Sequence, residues 1–319
     1  MTAFTLKIIA SICMLLDHIG AVFYGSTPEL FRWIGRIAFP IYAYMIAQGC
    51  KHTKNINKYL FRLGIFALIS EIPFDMAFMH YNDVESGLNW GISFLRQTNV
   101  FYTLFLGVAC VAVYEQLKLK KDAWVALLPI LFVPATLLGN FLPESFPIRP
   151  LTIATIVMAL YTTGALCFAH FLPNAAETDT EISFKKKIIP LIVVVPIIIT
   201  AGAFKSDYDM FGVGLIFLLY LANPESKIKR AIVMTAGILY HYGFDIVSTY
   251  SQYFDDGTVN IYHRLNVFGL FNLLFAIISV ILVFFYNGKQ GTKAKWAFYA
   301  FYPAHIAILA TIWFFLIKA

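Results

Sequence analysis

Apolar runs of bilayer-spanning length follow one another from end to end of this chain. The first, IIASICMLLDHIGAVFYG from Ile8, shows both the pattern and its exception. About 20 consecutive apolar residues cross the hydrocarbon core of a membrane. There, only a helix or a closed barrel satisfies every backbone polar group. These runs are continuous and do not alternate, which points to helices and against a barrel. The composition agrees: the chain is 60% hydrophobic and 13% charged, whereas a soluble domain carries about 25% charged residues. The expectation is an all-α, polytopic integral membrane bundle with the lipid bilayer as its solvent. Eleven spans are predicted, near 6–25, 31–49, 59–79, 98–117, 123–142, 150–171, 188–204, 210–222, 231–250, 264–286 and 297–317. If the short eighth is re-entrant the number is ten. No loop is long enough to fold alone, so residues 1–319 are read as a single domain.

Basic residues alternate between loops. One set holds Lys51, Lys54 and Lys58, then Lys118, Lys120 and Lys121, then Lys185 to Lys187, then Lys227, Lys229 and Arg230, then Lys289, Lys293 and Lys295. The intervening loops are acidic. That asymmetry predicts a cytoplasmic N-terminus and a multi-pass protein of the cytoplasmic (inner) membrane. The net charge of +6 is loop chemistry of this kind, and no nucleic-acid partner is expected. The four cysteines have no metal-type spacing and read as small apolar residues, so no metal is expected. The first run does not read as a signal peptide, because Asp17 interrupts it and no A-x-A site follows.

Orientation converts position into depth at 1.5 Å per residue. Asp17 and His18 then fall near the midplane of span 1, His305 near that of span 11, His241 near that of span 9 and Glu71 near that of span 3. Each charged group at such a depth costs about 2.5–3.5 kcal/mol on insertion scales and is a functional candidate. Asp17 and His18 are neighbours in sequence, so they project about 100° apart and need partners on other spans. Arg32 and Arg36 share one helix face, as do Glu71 and Asp75. Ion pairs between those two doublets, clamping spans 2 and 3, are the structural alternative to a functional site. Pro40, Pro73 and Pro303 lie close by and free backbone carbonyls.

Several segments together resemble the TraX family of membrane proteins: LKIIASICMLLDHIGAVF, RWIGRIAFPIYAYMIAQGCKHTKNINKYLFRLGIFALISEIPFDMAF, NVFYTLFLG, SDYDMFGVGLIFLLY, YNGKQG and KWAFYAFYPAHIAIL. SDYDMFG departs from the pattern at Asp209, where a small residue is expected. The resemblance implies a membrane-embedded acetyltransferase using acetyl-CoA as co-substrate. The family is named for an enzyme that acetylates a pilin N-terminus. It also implies kinship with the broader transmembrane acyltransferases, in which a histidine on an early helix is the catalytic candidate, and His18 in DHIG takes that place.

On this expectation His18 is the base that takes a proton from an incoming amine or hydroxyl. Arg36 or His305 donates to the oxyanion, and Asp17 and Glu71 orient a histidine or balance Arg36. Lys51, Lys54, Lys58, Arg62, Asn287, Lys289 and Lys293 face the phosphates of CoA, with Gly288 and Gly291 letting backbone N–H groups approach. An extracytoplasmic acceptor, a protein N-terminus or a cell-envelope molecule, enters over Arg32, Asp75 and Asp207. Direct transfer and an acyl-histidine intermediate both fit these residues. The alternative function is a proton-coupled transporter built on the same midplane His, Asp and Glu. A third is a non-catalytic assembly partner, with the polar layer serving helix association.

Overall fold

The computed structural model describes residues 1–78, 97–120, 182–203, 206–223, 225–256 and 267–318. Predicted spans 5 and 6 and the long predicted loops lie largely or wholly outside them. The described helices are α1 (Ala3–Val22), α2 (Leu30–Gly35), α3 (Ala38–His52), α4 (Ile56–Phe78), α5 (Val100–Lys118), α6 (Ile182–Ala203), α7 (Asp209–Leu221), α8 (Lys227–Asp256), α9 (Val267–Phe284) and α10 (Lys295–Lys318). No strand forms among the described residues; one isolated bridge joins Thr98 and Ser206. α1, α4 and α5 start where the sequence offers caps. Thr2 Oγ1 accepts from Thr5 N at 3.2 Å, Asn55 Oδ1 from Lys58 N at 2.9 Å and Asn99 Oδ1 from Phe101 N at 3.0 Å.

Among the described residues three helices, α1, α5 and α10, are long and apolar enough to cross a membrane. Shorter apolar helices run over Ile188–Gly202, Asp209–Leu221 and Gly269–Phe284. α4 has the length, but Lys58, Arg62, Glu71 and Asp75 keep it out of that class, so eleven full spans are not what the described helices display. Predicted span 2 is also not one helix. It breaks between α2 and α3 at Arg36 and Ile37, whose N–H groups bond three residues back, to Trp33 O and Ile34 O at 3.0 and 3.1 Å. Pro40 explains the break: it has no N–H for the Arg36 carbonyl, and its ring would collide with that carbonyl in a continuous helix.

The helix surfaces are inverted relative to those of a water-soluble protein. On α4 the exposed residues are Phe61, Ile65, Leu68, Ile69, Ile72 and Met76, while Leu63, Ser70, Glu71 and Phe74 are buried. Ile72 is 66% exposed beside a Glu71 that is 0% exposed. On α10 an outward stripe of Ile308, Ile312 and Phe315 lies opposite buried Tyr302, His305 and Ile306. Apolar stripes this long on the outside fit lipid as the surrounding medium.

The chain divides into two compact units. The first holds Met1–His52, Leu68–Leu88 and Leu218–Ala319. In it α1 packs on α2, α3 and α10, and α9 packs on α2, α3 and α8. α3 is the most deeply buried helix, with Tyr44 and Ile41 fully enclosed. The second holds Thr53–Ala67 and Asn89–Phe217. There α5 packs on α6. Gly107 lets α5 approach α7 closely, since a Cβ at that position would stand 2.6 Å from Ile216 Cδ1. Asn99 Nδ2 ties the α5 cap to Ala67 O at 2.8 Å.

Candidate functional site

The turn after α9 brings α10 alongside α1. Gly288 and Gly291 adopt φ of +78° and +73°, backbone that glycine reaches without a Cβ penalty. The turn so formed accepts the free N–H groups that open α1: Ala3 N donates to Lys289 O at 2.9 Å and Phe4 N to Gln290 O at 3.0 Å. Asn287 N donates to Met1 O at 2.9 Å, and the Met1 ammonium donates to Phe285 O at 2.8 Å. Arg230, 3% exposed, holds the same turn from α8. It donates to Phe284 O and Tyr286 O at 3.2 Å each and to Tyr44 Oη at 2.9 Å. Nothing in the sequence marked Arg230 as more than a loop cation.

With α1 and α10 so placed, two of the expected midplane histidines meet. His18 Nδ1 lies 2.7 Å from His305 Nε2, and His305 Nδ1 lies 2.7 Å from Phe301 O. The ring centres are 4.9 Å apart with an 8° tilt. With the nitrogens only 2.7 Å apart, each standing inward of its ring centre, the rings lie edge to edge in nearly one plane. Aromatic residues enclose the pair. Phe78 and Tyr302 present edges to His18 at 5.3 and 5.7 Å, and Phe301 stacks on His305 at 4.5 Å. Both histidines are buried. Tyr302 and Phe301 were not anticipated; their signal was the spacing FYPAH, which sets both on the turn before His305.

Asp17 faces the other way, as its 100° offset requires, and meets α2. Its Oδ1 accepts from Arg32 Nη1 at 2.6 Å and from Arg36 Nη2 at 2.7 Å. Arg32 Nη1 also donates to Asp17 O at 3.1 Å, and Arg36 Nε to Arg32 O at 3.0 Å. Arg32, expected to clamp spans 2 and 3 through Asp75, instead joins α2 to α1 through Asp17. The Pro40 break is the reason, because it ends α2 with both guanidiniums turned to α1. Gly35 makes the approach feasible: a Cβ there would overlap the Asp17 carboxyl group. Gly20 does the same for Arg32, whose Cδ would lie 3.2 Å from a Cβ.

The remaining expected residues are spread more widely. Glu71 is fully buried on α4, and Asp75 is half-buried one turn later, its Oδ1 without a hydrogen bond among the described residues. Lys51, Asn287, Lys289 and Lys293 are exposed on the first unit, with Lys51 Nζ 4.1 Å from the centre of the Tyr220 ring. Asn287 Oδ1 accepts from Lys289 N at 3.0 Å and so holds its own turn. Lys54, Lys58, Arg62 and Asp207 belong to the second unit, Arg62 lying against the Tyr59 ring at 5.7 Å. His241 packs edge-on against Tyr242 within α8 and is not part of the His18–His305 pair. Lys7, which was not anticipated, lies on α1 with Nζ 5.6 Å from the Phe298 ring centre on α10.

Among known proteins, the chain is similar over 99% of its length to the probable fimbrial assembly protein FimC, serogroup H1, of Dichelobacter nodosus. The two are 26% identical over 322 residues, which cover 97% of that relative. No solved structure matches. The family model described as TraX protein matches residues 3–142, a stretch that carries Asp17, His18, Arg32, Arg36 and Glu71, so the resemblance to TraX read in the sequence is borne out there.

Proposed function

We propose that this protein is a multi-pass acyltransferase of the inner membrane, with its N-terminus in the cytoplasm. It moves an acetyl group from cytoplasmic acetyl-CoA to an amine or hydroxyl presented from the other side. The His18–His305 pair carries the proposal. Two imidazoles in one hydrogen-bonded line, buried among aromatic rings on apolar helices, are costly for mere packing and well suited to moving a proton. The TraX match and the fimbrial-assembly name of the relative support a pilin-related acceptor, a protein N-terminus first.

In the proposed step His18 removes a proton from the acceptor as its nitrogen or oxygen bonds to the thioester carbonyl carbon. The tetrahedral adduct collapses, the C–S bond breaks, and the departing CoA sulfur takes the proton from His18. No further reactant is needed. The Arg32–Arg36–Asp17 cluster carries one net positive charge and supplies the field for the transient oxyanion through Arg36. Glu71 is proposed to balance charge on the same layer. The exposed Lys51, together with Lys289 and Lys293 after the turn that Asn287 holds, takes the CoA phosphates. Arg32 and Asp75 are proposed for the acceptor side.

Thermal unfolding of the purified protein in detergent tests the donor. Acetyl-CoA at about a hundred times its Kd stabilises a protein that binds it by about 2.7 kcal/mol, so Tm rises. An unmoved Tm, together with flux of a small solute in proteoliposomes lacking CoA, contradicts the enzyme and favours a transporter.

A further inference from the structure

The hydrogen bonds around His305 fix the positions of the protons. A carbonyl oxygen only accepts, so His305 Nδ1, 2.7 Å from Phe301 O, carries a hydrogen. In a neutral imidazole the other nitrogen is then a lone-pair acceptor. His305 Nε2 therefore accepts, and His18 Nδ1, 2.7 Å away, donates to it. A neutral His18 protonated at Nδ1 has its lone pair at Nε2. That nitrogen makes no hydrogen bond among the described residues. The near-coplanar rings place the N–H of one along the lone pair of the other, which is the strong geometry for such a bond.

We infer that His305 is a positioning residue. Anchored on Phe301 O, it holds His18 in the Nδ1–H tautomer and so turns Nε2 outward as the proton acceptor. This assigns His305 a different task from donating to an oxyanion, because its Nδ1–H is spent on Phe301 and its Nε2 has no hydrogen. When His18 takes a proton at Nε2, the bond from its Nδ1–H to His305 persists and steadies the imidazolium, and loss of that proton restores the starting arrangement. Free histidine in water prefers the opposite tautomer, with the hydrogen on Nε2. The partner's effect is thus a reversal that simple packing would not produce. Phe301 contributes twice, through its carbonyl and through its ring stacked on the His305 face.

The role in transfer rests on the acyltransferase proposed above, but the tautomer does not, so the two are tested apart. Nitrogen-15 solid-state NMR of histidine-labelled protein in lipid reads each ring nitrogen as protonated or not, without substrate. The His18 signals are those lost in His18→Ala. The expected wild-type spectrum has His18 protonated at Nδ1 and bare at Nε2. In His305→Phe the His18 signals revert toward Nε2–H, and transfer falls by about 10²–10⁴, the usual worth of a placed base. His305→Gln, whose side-chain oxygen still accepts from His18 Nδ1–H, keeps the tautomer and recovers part of the rate. A wild-type His18 protonated at Nε2 overturns the inference, as does an unchanged His18 tautomer in His305→Phe. If His305→Phe does not fold, the wild-type spectrum alone decides. A correct tautomer in a protein that transfers no acetyl group leaves the positioning role standing and removes the enzyme.

Discussion

Asp17 shows how much rests on single side chains at this depth. One carboxylate oxygen holds two guanidiniums within 2.7 Å, joining α1 to α2 and to the break that follows it. Removing one partner of a buried pair costs about 3–5 kcal/mol, because the opposite charge stays behind. Asp17→Ala is expected to lose that much, read as a lowered Tm in detergent. Arg32→Ala loses about 1 kcal/mol or less, since Arg32 is 30% exposed and Arg36 still pairs. Gly35→Ala drives a methyl group into the Asp17 carboxyl group. It should cost about 1–3 kcal/mol by overpacking, while Gly214→Ala, with nothing within 4 Å of its new Cβ, is neutral or stabilising. The need of Asp17 and His18 for partners on other helices was legible, because adjacent helical residues cannot share one. Which partners they find was not: that depends on the angles at which α2 and α10 meet α1, and no periodicity encodes them.

At the scale of elements, the turn between α9 and α10 is the device that sets α1 beside α10. Its two left-handed glycines make separable demands. An L-residue in that conformation costs about 1–2 kcal/mol, and at Gly291 a Cβ would also stand 2.7 Å from Thr2 Oγ1, whereas at Gly288 it meets nothing. Gly291→Ala should therefore lower Tm more than Gly288→Ala and reduce transfer as well, because it loosens the start of α1. Equal losses in the two variants would contradict the close packing of Thr2 against Gly291. The helices themselves were readable from apolar length and from caps such as Asn99. The break at Arg36 was not anticipated although Pro40 was in view, because a proline in the first turn of a helix reads the same whether or not another helix precedes it. At position 209, where the family pattern led us to expect a small residue, Asp209 has φ of +43°, a conformation that suits glycine.

For the molecule as a whole, the inverted surface is the property that makes the rest intelligible. A buried Glu71 beside an outward Ile72 is poor design in water and economical in lipid. Ile72→Arg separates the two media. On a water-facing surface it changes stability little, whereas toward hydrocarbon it costs about 2.5–3.5 kcal/mol, which flotation and yield from membranes would register. Membrane class and a helical bundle were legible because solvent chemistry is written in composition. The number of full crossings was not, because α4 mixes Arg62, Glu71 and Asp75 into its length and Pro40 breaks predicted span 2. The most direct measurement is transfer of radiolabelled acetyl from acetyl-CoA by membrane vesicles that contain the protein and its acceptor. The wild type should incorporate label, and His18→Ala, present in equal folded amount, should fall to background. Equal incorporation by His18→Ala would show that the buried histidine pair is not where the chemistry happens.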